Sequence, residues 1–231
     1  MSTYILAIDS ATEACSVALL RDGKTFTKFT VSNKEHARKI LPMVNQCLID
    51  AHLKLKNINV LAFCRGPGSF VGVRIAIGIA QGLAFGANIP MIGVSSLLTM
   101  AQGAFRKLGV EKVLVAINAK MGEIYSACYE LKLDGCWDGE ETESLIKPEE
   151  FLKKINKLSG RWAIVGTGWS DYPILKMTNL NLLETGIFLS NAQDMLFLAL
   201  KKCEKGKLIS AEEAFPIYLY NEVSWKKLYS L

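Results

Sequence analysis

The residues best suited to chemistry fall in three short turns. Asp9-Ser10-Ala11-Thr12 follows an apolar run that begins at Tyr4. In an α/β protein that is where backbone amides and hydroxyls meet phosphate and an aspartate positions magnesium or water; the same four residues also suffice to organise a turn. Gly66-Pro67-Gly68-Ser69 offers amides to an anion, with Arg65 or Arg74 adding positive charge, or else makes a tight turn and nothing more. It has neither the lysine and hydroxyl of a P-loop nor the dinucleotide glycine fingerprint. Asn118-Ala-Lys-Met-Gly-Glu-Ile-Tyr125 follows a second apolar run, in the place that Asp9 holds in the first half. It lines a cleft or is a reverse turn bounded by Gly122.

Other reactive side chains do not form a team. His36 and His52 are the only histidines, sixteen residues apart on one helical segment, roughly 24 Å at helical rise, too far to share a metal. Both read as surface or cap-proximal residues. Cys64 precedes the glycine turn without an identifiable base and reads as part of an apolar strand. No serine lies in a Gly-x-Ser-x-Gly elbow. The six cysteines are scattered without a Cys-x-x-Cys pair, which fits reduced thiols and offers zinc no ligand set. The expectation is no catalytic residue and no metal site.

The elements that must hold these turns are organised around residues 60–86. An apolar strand from Val60 to Cys64 breaks at Gly66-Pro67-Gly68 and resumes as a helix from Phe70, with Ser69 as its cap. Gly78, Gly82 and Gly86 fall four apart on one face; each interior glycine costs roughly 1 kcal/mol of helix propensity, so another element should approach closely, within this chain or from another subunit. Gly86 reads as the helix end. Arg65 and Arg74 interrupt the span that a membrane helix needs.

Before this stretch come strands at Tyr4 to Asp9, Cys15 to Leu20 and Lys24 to Val31, the last with a bend or bulge because Phe26 and Phe29 do not share a face. A helix from Lys34 to about Leu53 follows, capped by Ser32 or Asn33 and kinked at Pro42. After it the order recurs: strands at Lys112 to Ile117 and Glu123 to Leu133, a third before Pro148, a helix to about Leu158, a strand at Trp162 to Val165 and a helix from Ser190 to about Cys203. Two similar α/β lobes are the economical solution, residues 1–108 and 109–205, with a tail at 206–231 whose aromatics tie it across a lobe.

Composition agrees with a globular chain. At 231 residues, half of them hydrophobic, a substantial core is available and disorder is disfavoured. The start lacks a basic segment followed by a long apolar run, so export is disfavoured. The net charge of +5 permits RNA nearby, away from the acid-rich stretch Asp134 to Glu150.

At Ala7 to Thr12, His36 to Pro42, Gly66 to Arg74, Gly78 to Gly86, Asn118 to Tyr125, and Pro216 to Leu219 with Trp225, the sequence resembles the TsaB family, also called YeaZ. The glycine block is the most specific of these. The resemblance implies a duplicated, two-lobed, actin-like and Hsp70-like α/β fold and a cytoplasmic, noncatalytic partner of TsaD, which performs threonylcarbamoyl transfer to adenosine-37 of tRNA. TsaD resembles a metalloenzyme with paired histidines on its helix; only His36 stands in the matching stretch here. It further implies contact with the ATPase TsaE and with tRNA through the assembly, homodimers when TsaD is absent, no membrane, and no tightly bound cofactor, with ATP or ADP in the assembled system. A partner face on the two long helices would use His36, Ile40, Val44, Arg74, Gly78 and Gly82. Phosphate turns at Asp9, Ser10, Thr12, Gly66, Gly68 and Ser69 would be vestigial. Val71 replaces the usual threonine and Tyr220 the usual arginine. The competing readings are an autonomous small-metabolite kinase using Asp9 and the glycine turn, and a peptidase, for which nucleophile and base or metal pair are missing.

Overall fold

Strand-period sequence at the start of each half folds into hairpins, and parallel strands are then added across helices. The computed structural model describes residues 3–31 and 35–219. β1 (Ile5–Asp9), β2 (Ala14–Arg21) and β3 (Lys24–Val31) form two successive hairpins. The second turns on Asp22 and Gly23, both at positive φ, as a two-residue turn between twisted strands requires. Pairing of β2 with β3 runs unbroken from Ala14 opposite Val31 to Arg21 opposite Lys24, so the expected bulge is absent. Phe26 and Phe29 simply lie on opposite faces of an edge strand, Phe29 in solvent.

β4 (Val60–Gly66) pairs parallel with β1, and β5 (Met91–Ser95) with β4, giving the order β3-β2-β1-β4-β5. The helices are α1 (His36–Asp50), α2 (Phe70–Ala87) and α3 (Ser96–Leu108). α1 continues through Pro42 and starts on Glu35 without a side-chain cap; Ser32 and Asn33 lie outside the described residues, as do Tyr220 and Trp225. The Ser69 hydroxyl accepts the Gly72 N–H at 3.3 Å, and α2 stops at Ala87 because Asn88 turns left-handed at φ 52°. With 18 residues, α2 is long and apolar enough by composition to cross a membrane despite Arg74.

The second half repeats the plan with β6 (Lys112–Lys120), β7 (Glu123–Leu131), β8 (Trp137–Asp138), β9 (Ser144–Ile146), α4 (Pro148–Ile155), β10 (Arg161–Val165), α5 (Gly168–Asp171), β11 (Asn181–Glu184) and α6 (Ala192–Glu204). The strand order is β11-β10-β6-β7-β8, with β9 also on β7. Pro148 opens α4 in its first turn. α6 is capped by Asn191, whose side chain accepts the Gln193 N–H at 2.9 Å, rather than starting at Ser190.

The helices distribute unevenly. α1 and α2 pack on the first sheet and α4 on the second, but α6 packs on β1, β2, β4 and β5, while α3 packs chiefly on β6, β7 and β10 and also touches β4 and β5. Each half therefore lends its last helix to the other. α3 and α6 meet between the sheets, where Arg106 binds Asp194 through two hydrogen bonds of 2.5 and 3.3 Å. The Ser16 hydroxyl on β2 accepts the Ala192 N–H at the start of α6 at 2.9 Å. β6 is buried on both faces: Val113, Val115 and Ile117 enter the core shared with the first sheet, and Leu114 and Ala116 a second core with Phe151, Trp162 and Trp169. This is a duplicated, two-lobed α/β fold built on two mixed sheets.

Candidate functional site

In the first lobe, β1 delivers Asp9 to a dry position. Its carboxyl is 1% exposed; Oδ1 accepts the Ala11 N–H at 2.9 Å, and Oδ2 has no hydrogen-bond partner although the Ser190 hydroxyl and Cys64 thiol lie close. Burial raises the Asp9 pKa, against the pull of the Ala11 amide, Ser190, Cys64 and His36. The Cys64 thiol is pushed well above its ordinary value by burial and then by Asp9, which keeps it protonated and unreactive.

The two turns face one another and satisfy one another. The Ser69 N–H donates to the Ala11 carbonyl at 2.8 Å and the Ser10 hydroxyl to the Gly72 carbonyl at 2.8 Å. Thr12 Oγ1 accepts the Ala14 N–H at 3.3 Å. A Cβ on Gly68 would sit 2.3 Å from the Ala11 oxygen, and one on Gly72 2.1 Å from the Ser10 oxygen. Asp9, Ser10, Thr12, Gly66, Gly68 and Ser69 are thus neighbours, with the Ser10 hydroxyl and the Ser69 amide turned inward onto backbone.

The second lobe uses the same device. A Cβ on Gly166 would lie 2.1 Å from the Ala116 oxygen. Asn118 donates to Asp171 at 2.6 Å, accepts the Lys120 N–H at 2.8 Å and accepts from Tyr172 at 3.3 Å, while its own N–H donates to Thr167 at 3.1 Å. The turn beyond it carries Lys120, Met121 and Gly122 at positive φ, with Met121 fully exposed.

Residues 214–219 run along the first lobe: the Ile217 N–H donates to the Arg65 carbonyl at 2.9 Å, and Tyr218 stacks on Phe70 with ring centroids 6.1 Å apart. Between Pro67, Phe70, Val73, Tyr125, Ile217 and Tyr218 a cavity of about 20 Å³ remains, room for roughly one water. Alongside, Arg65 faces Glu140 at 3.5 Å and Glu143 at 3.6 Å, Lys202 binds Glu140 at 3.0 Å, and Tyr129 donates to Glu143 at 2.6 Å. The Glu140 carboxyl is held below the usual range because Lys202 and then Arg65 outweigh the effect of burial.

Outside lies an open helical face. Gly78, Gly82 and Gly86 have nothing within 4 Å of an added Cβ, so no element of this chain makes the close approach expected for them among the described residues. On the same helix Val71, Arg74 and Phe85 are exposed, as are Leu41 and Ile49 on α1. Of the residues expected on this face, Arg74, Gly78 and Gly82 look outward, whereas Ile40 and Val44 are buried in the chain's own core. His36 is buried too, with Nδ1 lacking a partner, rather than at the surface.

Comparison with known proteins places this architecture. The chain is 53% identical to the tRNA threonylcarbamoyladenosine biosynthesis protein TsaB of Escherichia coli K12 over 225 residues, 97% of each chain, and 44% identical to the Haemophilus influenzae protein of the same name over 97% of this chain and 96% of that one. The chain belongs to the TsaB family. The solved structure of YeaZ from Pseudomonas aeruginosa, 39% identical, superposes with a TM-score of 0.85 over 94% of this chain and all of that one. Residues 30–202 also match the family described as TsaD, tRNA N6-adenosine threonylcarbamoyltransferase. Among the described residues of this TsaB-family chain, no three His, Cys, Asp or Glu side chains are grouped to hold a metal.

Sequence reasoning in this TsaB-family chain missed the Arg65, Glu140 and Lys202 network and the Phe70 and Tyr218 stack. The acid-rich stretch was visible, but its partners sit 75 residues upstream and 62 downstream of Glu140, beyond any local pattern. Tyr218 lay in a quoted motif, and only the fold brings it to Phe70.

Proposed function

We propose that this chain is a noncatalytic partner that stabilises and activates TsaD in threonylcarbamoyl transfer to adenosine-37 of tRNA. One observation carries the reading: the face of α1 and α2 is apolar, glycine-lined and uncovered by any described part of the chain, as a helix-packing surface requires. Gly78, Gly82 and Arg74 would lie within it, with Leu41 and Ile49 of α1 beside them. TsaE and tRNA would be reached through the assembly of this chain with TsaD, in the cytoplasm, and the chain would self-associate through the same face when TsaD is absent. Any ATP or ADP would belong to the assembled system. The buried Asp9 carboxyl and the inward-turned Ser10 and Ser69 groups argue against a phosphate site of this chain's own.

Reconstitution of tRNA modification with and without the chain tests this. Modification should need the chain together with TsaD. Turnover of ATP with a small-molecule acceptor by the chain alone, or full modification without it, would reject the proposal.

A further inference from the structure

Arg74 is the charged residue of the open face on α2, and it is held in an unusual way. Its guanidinium carbon lies 3.3 Å from the centroid of the Phe70 ring and 5.1 Å from that of Tyr218, both within cation–π reach. One N–H reaches the Phe70 carbonyl at 3.4 Å; the other donors of the fork find no carboxylate among the described residues. Tyr218 comes from the far end of the chain and is brought there by the Ile217 to Arg65 bond and by Gln81, which donates to the Ala211 and Ala214 carbonyls at 2.9 and 3.1 Å.

The charge of the face is one-sided. α2 contains no acidic residue, and α1 contains only Asp50, which Lys28 engages at 2.8 Å. Arg38 is exposed on α1, as Arg74 is on α2. A second copy of the chain would therefore bring like charge and no free carboxylate from these helices.

Resting on the reading of this face as the TsaD surface, we propose that Arg74 is a pre-oriented receptor for a carboxylate on a TsaD helix, with Phe70 and Tyr218 as its positioning residues. The planar fork matches a carboxylate in two-point geometry, and the aromatic pair removes the freedom that an exposed arginine would lose on binding. The same arginine makes self-association the weaker choice, since specificity follows from what one partner supplies and the other lacks. Apolar Val71 and Phe85 on the same helix favour a protein partner over an RNA phosphate.

The test measures the affinity of full-length variants for TsaD at low and high salt. Arg74→Glu should weaken it by about thirtyfold or more, the scale of breaking a desolvated charge pair, and reversing one acidic residue on a TsaD helix to lysine should restore it. Tyr218→Ala should weaken it about threefold through lost preorganisation, with Tyr218→Phe unchanged. Self-association of Arg74→Glu should not fall. If Gly82→Leu weakens TsaD binding while Arg74→Glu does not, the receptor role is wrong and the interface stands; if neither does, the interface reading itself has failed. Loss of tRNA binding with TsaD affinity intact would reassign Arg74 to phosphate and overturn the inference.

Discussion

The backbone N–H of Ser69 points at the carbonyl oxygen of Ala11 across 2.8 Å. That bond fastens the start of α2 to the turn after β1, and it places Gly72 beneath Ser10 with no space for a side chain.

Gly72→Ala should therefore destabilise the chain by about 1–3 kcal/mol, because an added methyl meets backbone rather than a side chain that can yield. Gly82→Leu should do the opposite to the isolated chain. Its site is open, so the helix gains roughly 0.8–1 kcal/mol of propensity while TsaD affinity drops from steric mismatch. Thermal melts of the two variants, with TsaD titrations, check both directions. A lowered melting temperature for Gly82→Leu with unchanged affinity would remove Gly82 from the interface.

Asp9→Asn bears on pH. The folded carboxyl titrates above its ordinary value because of burial, so between the unfolded and folded pKa values the native state holds more protons. Stability is then greatest below the unfolded value and declines as pH rises through that window, after which the burial penalty persists. The Asn variant keeps the acceptor for the Ala11 amide, should flatten this acid-side decline and should be the more stable protein at neutral pH. With all partners in excess it should retain tRNA modification; complete loss with assembly intact would give Asp9 a functional part.

Arg65→Ala should cost about 3 kcal/mol, the low end for breaking a buried pair, since the Glu143 side chain is 4% exposed and among the described residues keeps only the Tyr129 hydroxyl. Lys202→Ala should cost about 1 kcal/mol or less, because its partner Glu140 is 39% exposed. Denaturant melts of the two variants should separate clearly.

Much of the fold was legible because its signals are local. Ser69 before Phe70, Pro148 in the first turn of α4, and the apolar runs of β1, β4 and β6 all announce themselves by period or cap. β11 did not, since Asn181 to Glu184 is too short and half polar. The glycine face was visible as a stripe, but spacing carries no direction: the same pattern that predicted close packing proved open, while crowded glycines include Gly68 and Gly72, set against the carbonyls of the turn after β1, and Gly139 and Gly166, set against the carbonyls of Cys128 and Ala116. Likewise Ile40 and Val44 share a helix with the outward Leu41, and the sequence alone does not say which stripe meets the sheet. Asp9 was found by its place at the end of β1; its burial depends on Ser190, Cys64 and α6.

The exchange of α3 and α6 between the sheets has a consequence for synthesis. When a ribosome has made the first 108 residues, all five strands of the first sheet exist, yet the helix that covers β1, β2, β4 and β5 is still about 84 codons away. α3, already made, belongs against strands not yet translated. The growing chain must carry a sheet that still lacks the cover of α6, and an unplaced helix, until nearly its end, and a gene cut after residue 108 would yield two fragments that each need the other's final helix.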